Sequence, residues 1–331
     1  MNEPVVACVP NFSEGREPAI IHGLVAAMHL PGVHLLDCTS NREANRSVVT
    51  IAGEPAAVFE AVVRAAGVAV ERIDLTAHRG NYPRMGAIDV LPFVPVSRIH
   101  IAECAVLARE AAVALWDRFQ LPCYLYEAAA MRPDRIALDE VRQGQFEGLR
   151  EVVLRDANRR PDIGGPGLHP TAGAAAVGAR QPLIECRLTL ATEKLSSARA
   201  TARALRDGFA GVHATGFVSP EGAQVLLKIA DYRETGIAEM HACACDAAKK
   251  AGTRIAAGEI VGLIPEGAYQ PGSAWAANDW AMNDGPDAWD NSSSQAPEDE
   301  RETGASAYTW EIEQRILERR LLAPLAWPES A

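Results

Sequence analysis

The sequence lacks the marks of several large function classes. It has no basic excess: 32 Lys and Arg stand against 43 Asp and Glu, a formal net charge of −11 over 331 residues. Part of this is local. From Asp287 to Glu302 six acids face one base, Arg301, which leaves a mild −6 for the rest. A nucleic-acid partner calls for a basic face, so none is expected, although a local cationic pocket for a small anion remains compatible with these totals. No uncharged apolar run reaches the roughly 18 residues of a membrane span, so no membrane partner is expected either. The opening residues carry neither the basic nor the apolar region of a secretory leader, which makes a reducing cytoplasm the expected location.

Cysteine is present without a pattern. Seven are scattered through a long chain with no disulfide spacing. Cys243 and Cys245 form the one close pair, but on a helix positions two apart point to nearly opposite sides, so they read as inert thiols and not as metal ligands. Also missing are Gly-x-Ser-x-Gly, a Walker loop, a dinucleotide-binding fingerprint and His-x-x-x-His. Gly164-Gly165-Pro166-Gly167 is too short to be a phosphate loop. The expected chemistry is therefore positioning and proton transfer, with no metal and no covalent intermediate.

What is present is an ordinary globular composition, 48% hydrophobic and 23% charged, enough for a sizeable core. Periodicity places strands at residues 5–9, 33–38, 47–52 and 87–94, a helix with Ile20, Ile21, Leu24, Val25 and Met28 at helical spacing (capped by Ser13 or Asn11), and a helix from Pro55 to Val70. A helix over 101–119 and a strand over 122–126 follow. After a Gly/Pro-rich stretch at 158–173 the order repeats: strand 183–190, helix 193–206, strands 212–217 and 223–230, helix 237–251 and strand 260–264. Each half reads β-α-β-β-α-β, the split βαβ order. The expected fold is α/β (α+β): two tandem ferredoxin-like subdomains, 1–177 and 178–331, with mixed sheets, helices packed on them and a ligand cleft between. The second includes an acidic insertion over 270–307, expected to be mobile, and a terminal helix over 308–322.

The chemistry concentrates in one stretch. His78 stands at the start of a Gly- and Pro-rich turn that runs into an apolar strand, with Arg79, Arg84 and Arg98 nearby. An imidazole titrates near pH ~6.5, so it can both take and give a proton at neutral pH. Asp89 or Asp37 is expected to orient it. Arg42, Arg46, Arg79 and Arg84 offer planar forks for carboxylates. His169, in the Gly/Pro stretch, is a second candidate, whereas His22, His29, His100 and His241 read as structural or exposed.

Three segments also carry a resemblance. Val9-Pro10-Asn11-Phe12-Ser13-Glu14-Gly15-Arg16, the stretch from His78 to Val96, and Glu259-Ile260-Val261-Gly262-Leu263-Ile264-Pro265 together resemble the formiminotransferase domain family (glutamate formimidoyltransferase), over about residues 5 to 267. The resemblance implies two similar α/β subdomains, a folate site between them and a homodimer. It also implies transfer of a formimino group from N-formiminoglutamate to N5 of tetrahydrofolate, with tetrahydrofolate as co-substrate. By motif, His78 matches the catalytic histidine, and Ile163-Gly164-Gly165-Pro166-Gly167-Leu168-His169-Pro170-Thr171-Ala172 matches the folate-contacting loop. Asp37, Arg46, Arg84 and Asp89 match polar positions in or near the site, and Arg187 and Lys228 are expected to line it. The chain departs from the family at Asn81 and Tyr82, where relatives have Glu and His, and at Arg187 and Lys228, where relatives favour Asn. Those departures keep two alternatives open: a folate-dependent enzyme with another donor or pterin, and a non-catalytic folate- or anion-binding protein.

Overall fold

The structure, a computed structural model, describes residues 3–268 and 316–328. The acidic insertion and the first part of the expected terminal helix lie outside the described residues. Those described fall into two compact units, 3–180 with 324–328 and 181–268 with 316–323.

The first unit begins with β1 (Val5–Cys8) and β2 (Asn11–Phe12), separated by Val9 and Pro10. Helix α1 (Pro18–Ala27), hairpin strands β3 (Val33–Asn41) and β4 (Arg46–Gly53), helix α2 (Pro55–Arg72) and strand β5 (Ile88–Ser97) follow. β4 pairs antiparallel with β3 on one side and with β1 and β2 on the other, and β1 and β2 pair antiparallel with β5. That is the ferredoxin-like strand order, as the element order implied.

Helix α3 (Ile101–Phe119) and strand β6 (Cys123–Glu127) continue the chain, and β7 (Ala175–Ala179) inserts in parallel between β5 and β6, giving seven strands. α3 keeps its expected bounds because both ends are marked. The His100 backbone N–H donates to Glu103 at 2.8 Å in a capping box, and Gln120 closes the helix in the left-handed region. α1 is different from expectation. Neither Ser13 nor Asn11 caps it; Glu17 is the N-cap and Pro18 opens the first turn, where its missing N–H costs nothing.

One face of this sheet carries α1, α2 and α3 over a continuous apolar core that includes Leu24, Val62, Ala66, Leu91 and Phe93. On the other face, two short helices, α4 (Leu138–Val141) and α5 (Gln145–Val152), cover Tyr124, Tyr126 and Val90. The tail returns to this unit, with the Leu325 N–H donating to Leu35 at 2.8 Å and Trp327 stacking on His29 at 4.8 Å.

The second unit repeats the order with β8 (Ile184–Leu190), α6 (Leu195–Gly208), β9 (Val212–Ser219), β10 (Gly222–Ile229), α7 (Ile237–Lys250) and β11 (Ile255–Val261). Its four-stranded antiparallel sheet runs β11-β8-β10-β9, the ferredoxin-like order again. On β8 the inward residues Ile184, Cys186, Leu188 and Leu190 alternate with Glu185, Arg187 and Thr189, the period-2 pattern of a sheet with one apolar face. The last strand lies earlier than the expected 260–264. Gly262 turns the chain at φ +77°, and Ile264 instead bridges Ile316, just ahead of α8 (Leu317–Leu322).

Candidate active site

The loop from Ile73 to Ala87 joins α2 to β5 and carries His78. Asp74 shapes it. Its carboxylate accepts from the Thr76 N–H (2.8 Å) and hydroxyl (2.7 Å), and its carbonyl accepts from the His78 N–H at 3.1 Å. Gly80 then passes so close to the β3–β4 hairpin that a Cβ would stand 2.2 Å from the Ala44 carbonyl oxygen.

The His78 side chain is buried, at 7% exposure, and both ring nitrogens are engaged. Arg84 Nε–H donates to Nδ1 at 3.1 Å, which leaves the ring proton on Nε2, and that proton is donated to the Asn45 carbonyl at 3.0 Å. Burial is the largest cause that lowers the His78 pKa, and the Arg84 and Arg16 charges push the same way. The Asn45 carbonyl and Glu14 oppose the shift without reversing it. The imidazole is thus neutral at neutral pH and its lone pair is capped by a guanidinium. Neither Asp89 nor Asp37 orients the ring, contrary to the sequence expectation.

Asn45 is the organiser that sequence reasoning missed. It sits at the hairpin tip with φ 49°, a region that asparagine tolerates better than most residues. Its side chain accepts from the Gly15 N–H (2.9 Å) and donates to the Arg79 carbonyl (3.1 Å). The opening motif packs here too. Asn11 accepts from Arg46 Nη2 (2.6 Å), the Ser13 hydroxyl donates to the Gly86 carbonyl (2.7 Å), and a Cβ on Gly15 would meet Arg46 backbone at 2.5 Å.

Asp89 does other work. It is fully buried, with Arg46 at 2.9 Å and Arg142 at 3.2 Å, and it accepts from the Met85 N–H at 2.8 Å. Tyr82 lies on this cluster, its ring 4.3 Å from the Arg46 guanidinium carbon. Arg46 is therefore committed to Asp89 and Asn11. Arg79 is folded back onto the carbonyls of Thr76 and His78. Arg42 donates to the Arg16 carbonyl (3.2 Å), on the hairpin between β3 and β4.

Beside His78 opens a cleft of about 530 Å³ lined by Thr76, His78, Arg79, Gly80, Arg84, Gln145, Phe146, Glu147 and Arg150. Three arginines against one glutamate make it cationic, and its size suits a small-molecule site. Glu147, in the first turn of α5, takes the Arg84 fork with both oxygens at 2.9 and 2.6 Å. The cleft can thus bind a carboxylate beside a neutral imidazole. Among the described residues no group of three or more His, Cys, Asp or Glu stands together as a metal site.

Comparison with known proteins decides the family. The profile of the formiminotransferase domain, N-terminal subdomain, matches residues 5–180. A glutamate formimidoyltransferase of Streptococcus pyogenes serotype M1 is 38% identical over 79% of this chain and 89% of its own length. The chain belongs to the formiminotransferase domain family. The glutamate formimidoyltransferase of Thermoplasma acidophilum is 34% identical over 79% of this chain and 88% of its own. A formimidoyltransferase-cyclodeaminase of Dictyostelium discoideum is 35% identical over 79% of this chain, which spans 50% of that relative's length.

The segment from Ile163 to Ala172, expected from the resemblance to contact folate, lies against the His78 loop. The Leu75 N–H donates to the Thr171 carbonyl and the Ala87 N–H to the Ala172 carbonyl, both at 2.9 Å. Gly164, at φ +79°, lies under Trp116, where a Cβ would fall 2.3 Å from the ring. Ile163 exchanges backbone hydrogen bonds with Cys123 on β6. His169 accepts at Nδ1 from the Ala172 N–H (2.9 Å), so it braces the loop. Gly173 closes the segment at φ +71°, with a would-be Cβ 2.1 Å from the Met85 carbonyl oxygen. Gly173→Ala should cost about 1–3 kcal/mol from left-handed strain and overpacking; the midpoint of urea unfolding measures it.

The other expected site residues are held within their own sheets. Asp37 lies on β3 opposite Thr50. Arg187 and Lys228 lie in the second unit on β8 and β10, where each pairs with an acid of its own sheet, Arg187 with Glu259 at 2.5 Å and Lys228 with Glu185 at 3.6 Å. These two cations are thus paired locally.

Burial also lowers the pKa of His169 and His241, as it does for His78. In the unfolded chain these rings take a proton near pH ~6.5, whereas the folded protein resists it. The unfolded state then binds more protons, so stability should fall as pH drops below about 6.5, before most carboxylates titrate. Denaturant midpoints measured from pH about 7.5 down to 5 check this slope.

Proposed function

We propose that the chain transfers the formimino group of N-formiminoglutamate to N5 of tetrahydrofolate, with His78 as the group that carries the proton. It is a transferase of the glutamate formimidoyltransferase type, and the reaction belongs to histidine breakdown. The observation that carries the residue assignment is the buried, neutral His78 at the wall of a cationic cleft.

Tetrahydrofolate supplies the nucleophilic N5 and formiminoglutamate the amidine carbon. His78 takes a proton at Nδ1 as the new C–N bond forms, then returns it to the glutamate nitrogen as the old C–N bond breaks, so no proton is lost to bulk water. Arg84 withdraws its Nε–H from Nδ1 for this to happen and holds a substrate carboxylate with its fork. The Asn45 carbonyl holds the ring through Nε2–H throughout. The loop 163–172, hydrogen-bonded to both ends of the His78 loop, is positioned to bear on the pterin. The second unit supplies the family's other half, and a cytosolic homodimer belongs to the same reading. No helix among the described residues is long and apolar enough to cross a membrane.

Purified protein is mixed with formiminoglutamate and tetrahydrofolate, and the pterin absorbance is followed. Turnover is expected. Tight folate binding without turnover of this donor would replace the reading with a binding protein, and turnover of a different amidine alone would replace the donor.

A further inference from the structure

We propose that Glu147 occupies the seat of the substrate carboxylate on Arg84, so that a ligand must displace it to free His78, and that Glu147 thereby sets the requirement for a carboxylate-bearing substrate. The inference rests on the proposed function only for the identity of the natural ligand; the exchange itself needs nothing but a carboxylate.

Four observations carry it. First, the Glu147–Arg84 contact is a two-oxygen, two-nitrogen fork at 2.9 and 2.6 Å, the arrangement a ligand carboxylate would make. Second, the partners are unequal. The Arg84 side chain is 10% exposed, whereas that of Glu147 is 62% exposed and faces the cleft. Glu147 can therefore swing into water at little cost, while Arg84, once released, needs another anion. Third, Arg79 and Arg150 line the same cleft, so an incoming anion meets a field that already favours it. Fourth, the guanidinium held by Glu147 is the one whose Nε–H caps His78 Nδ1. As long as that geometry stands, the imidazole has no free lone pair. A carboxylate carried by a bound substrate draws the fork toward itself, and a donor without one leaves the cap in place. Selection for the carboxylate and release of the base are then one event, which makes Glu147 a specificity-determining residue without contact to the reacting atoms.

The probe is glutarate, a plain dicarboxylate, titrated calorimetrically into the full chain. Glu147→Ala should bind it about five- to ten-fold tighter than the parent, because the internal competitor is gone. Arg84→Ala should bind it at least about ten-fold more weakly. In the parent protein, saturating glutarate should raise the His78 pKa seen by NMR, because the guanidinium retreats. With the amidine donor, Glu147→Ala should lower KM. Equal or weaker glutarate binding by Glu147→Ala, or no glutarate binding by any variant, would overturn the proposal. So would a fall in kcat with KM unimproved, since it would make Glu147 a support for Arg84. Glutarate binding requires no turnover, so failure of formimino transfer would be seen separately.

Discussion

Replacing His78 with alanine should lower kcat by about 10²–10⁴-fold, the range of a positioned proton carrier. KM should move little, because the carboxylate seat on Arg84 is untouched. The fold should survive. The ring's loss leaves the Asn45 carbonyl and the Arg84 Nε–H without their partner, a cost of about 1–3 kcal/mol. His78→Gln is the informative companion, since an amide can keep a hydrogen bond but cannot shuttle a proton at neutral pH. Steady-state kinetics with both variants, beside thermal melts, separate lost chemistry from lost structure. A His78→Gln enzyme with parental kcat would remove His78 from the proton path.

Asp89→Ala should have the largest effect on stability. Its carboxylate is buried between Arg46 and Arg142, whose side chains are 11% and 8% exposed, and it also fixes the Met85 N–H next to Arg84. Deleting the anion leaves two buried cations facing one another beside Tyr82, with Arg142 Nε already lacking a hydrogen-bond acceptor. Breaking such a buried pair costs about 3–5 kcal/mol, a large share of a domain's total stability. Asp89→Asn should recover part of this by keeping an acceptor for the Met85 N–H. Urea unfolding of the two variants checks the order. A cost below about 1 kcal/mol for Asp89→Ala would show that water or Tyr82 satisfies the arginines without it.

Much of this arrangement is legible in the sequence. The split βαβ order in both units follows from apolar periodicity and turn residues, and α3 kept both ends because Glu103 and the stop before Pro122 are local signals. β7 was not legible. Ala175–Ala179 is alanine and glycine, with weak intrinsic strand preference, and it becomes a strand because β5 and β6 offer unpaired edges on either side. At the site, His78 and Arg84 were readable as residue types in a suggestive turn. Their tie to Asn45 and Glu147 was not, because those contacts span 33 and 63 residues and no periodicity announces them. The partner of Asp89 is illegible for a related reason. A carboxylate beside a histidine invites pairing, but two buried arginines offer it more.

The rate of formimino transfer from formiminoglutamate to tetrahydrofolate, followed as kcat/KM from pH about 5 to 8, tests the account most directly. The account predicts a single acid limb with its midpoint below pH about 6.5, set by the depressed pKa of His78, and its loss from the residual rate of His78→Ala. A profile that is flat across this range, or an acid limb that persists unchanged in His78→Ala, would contradict it.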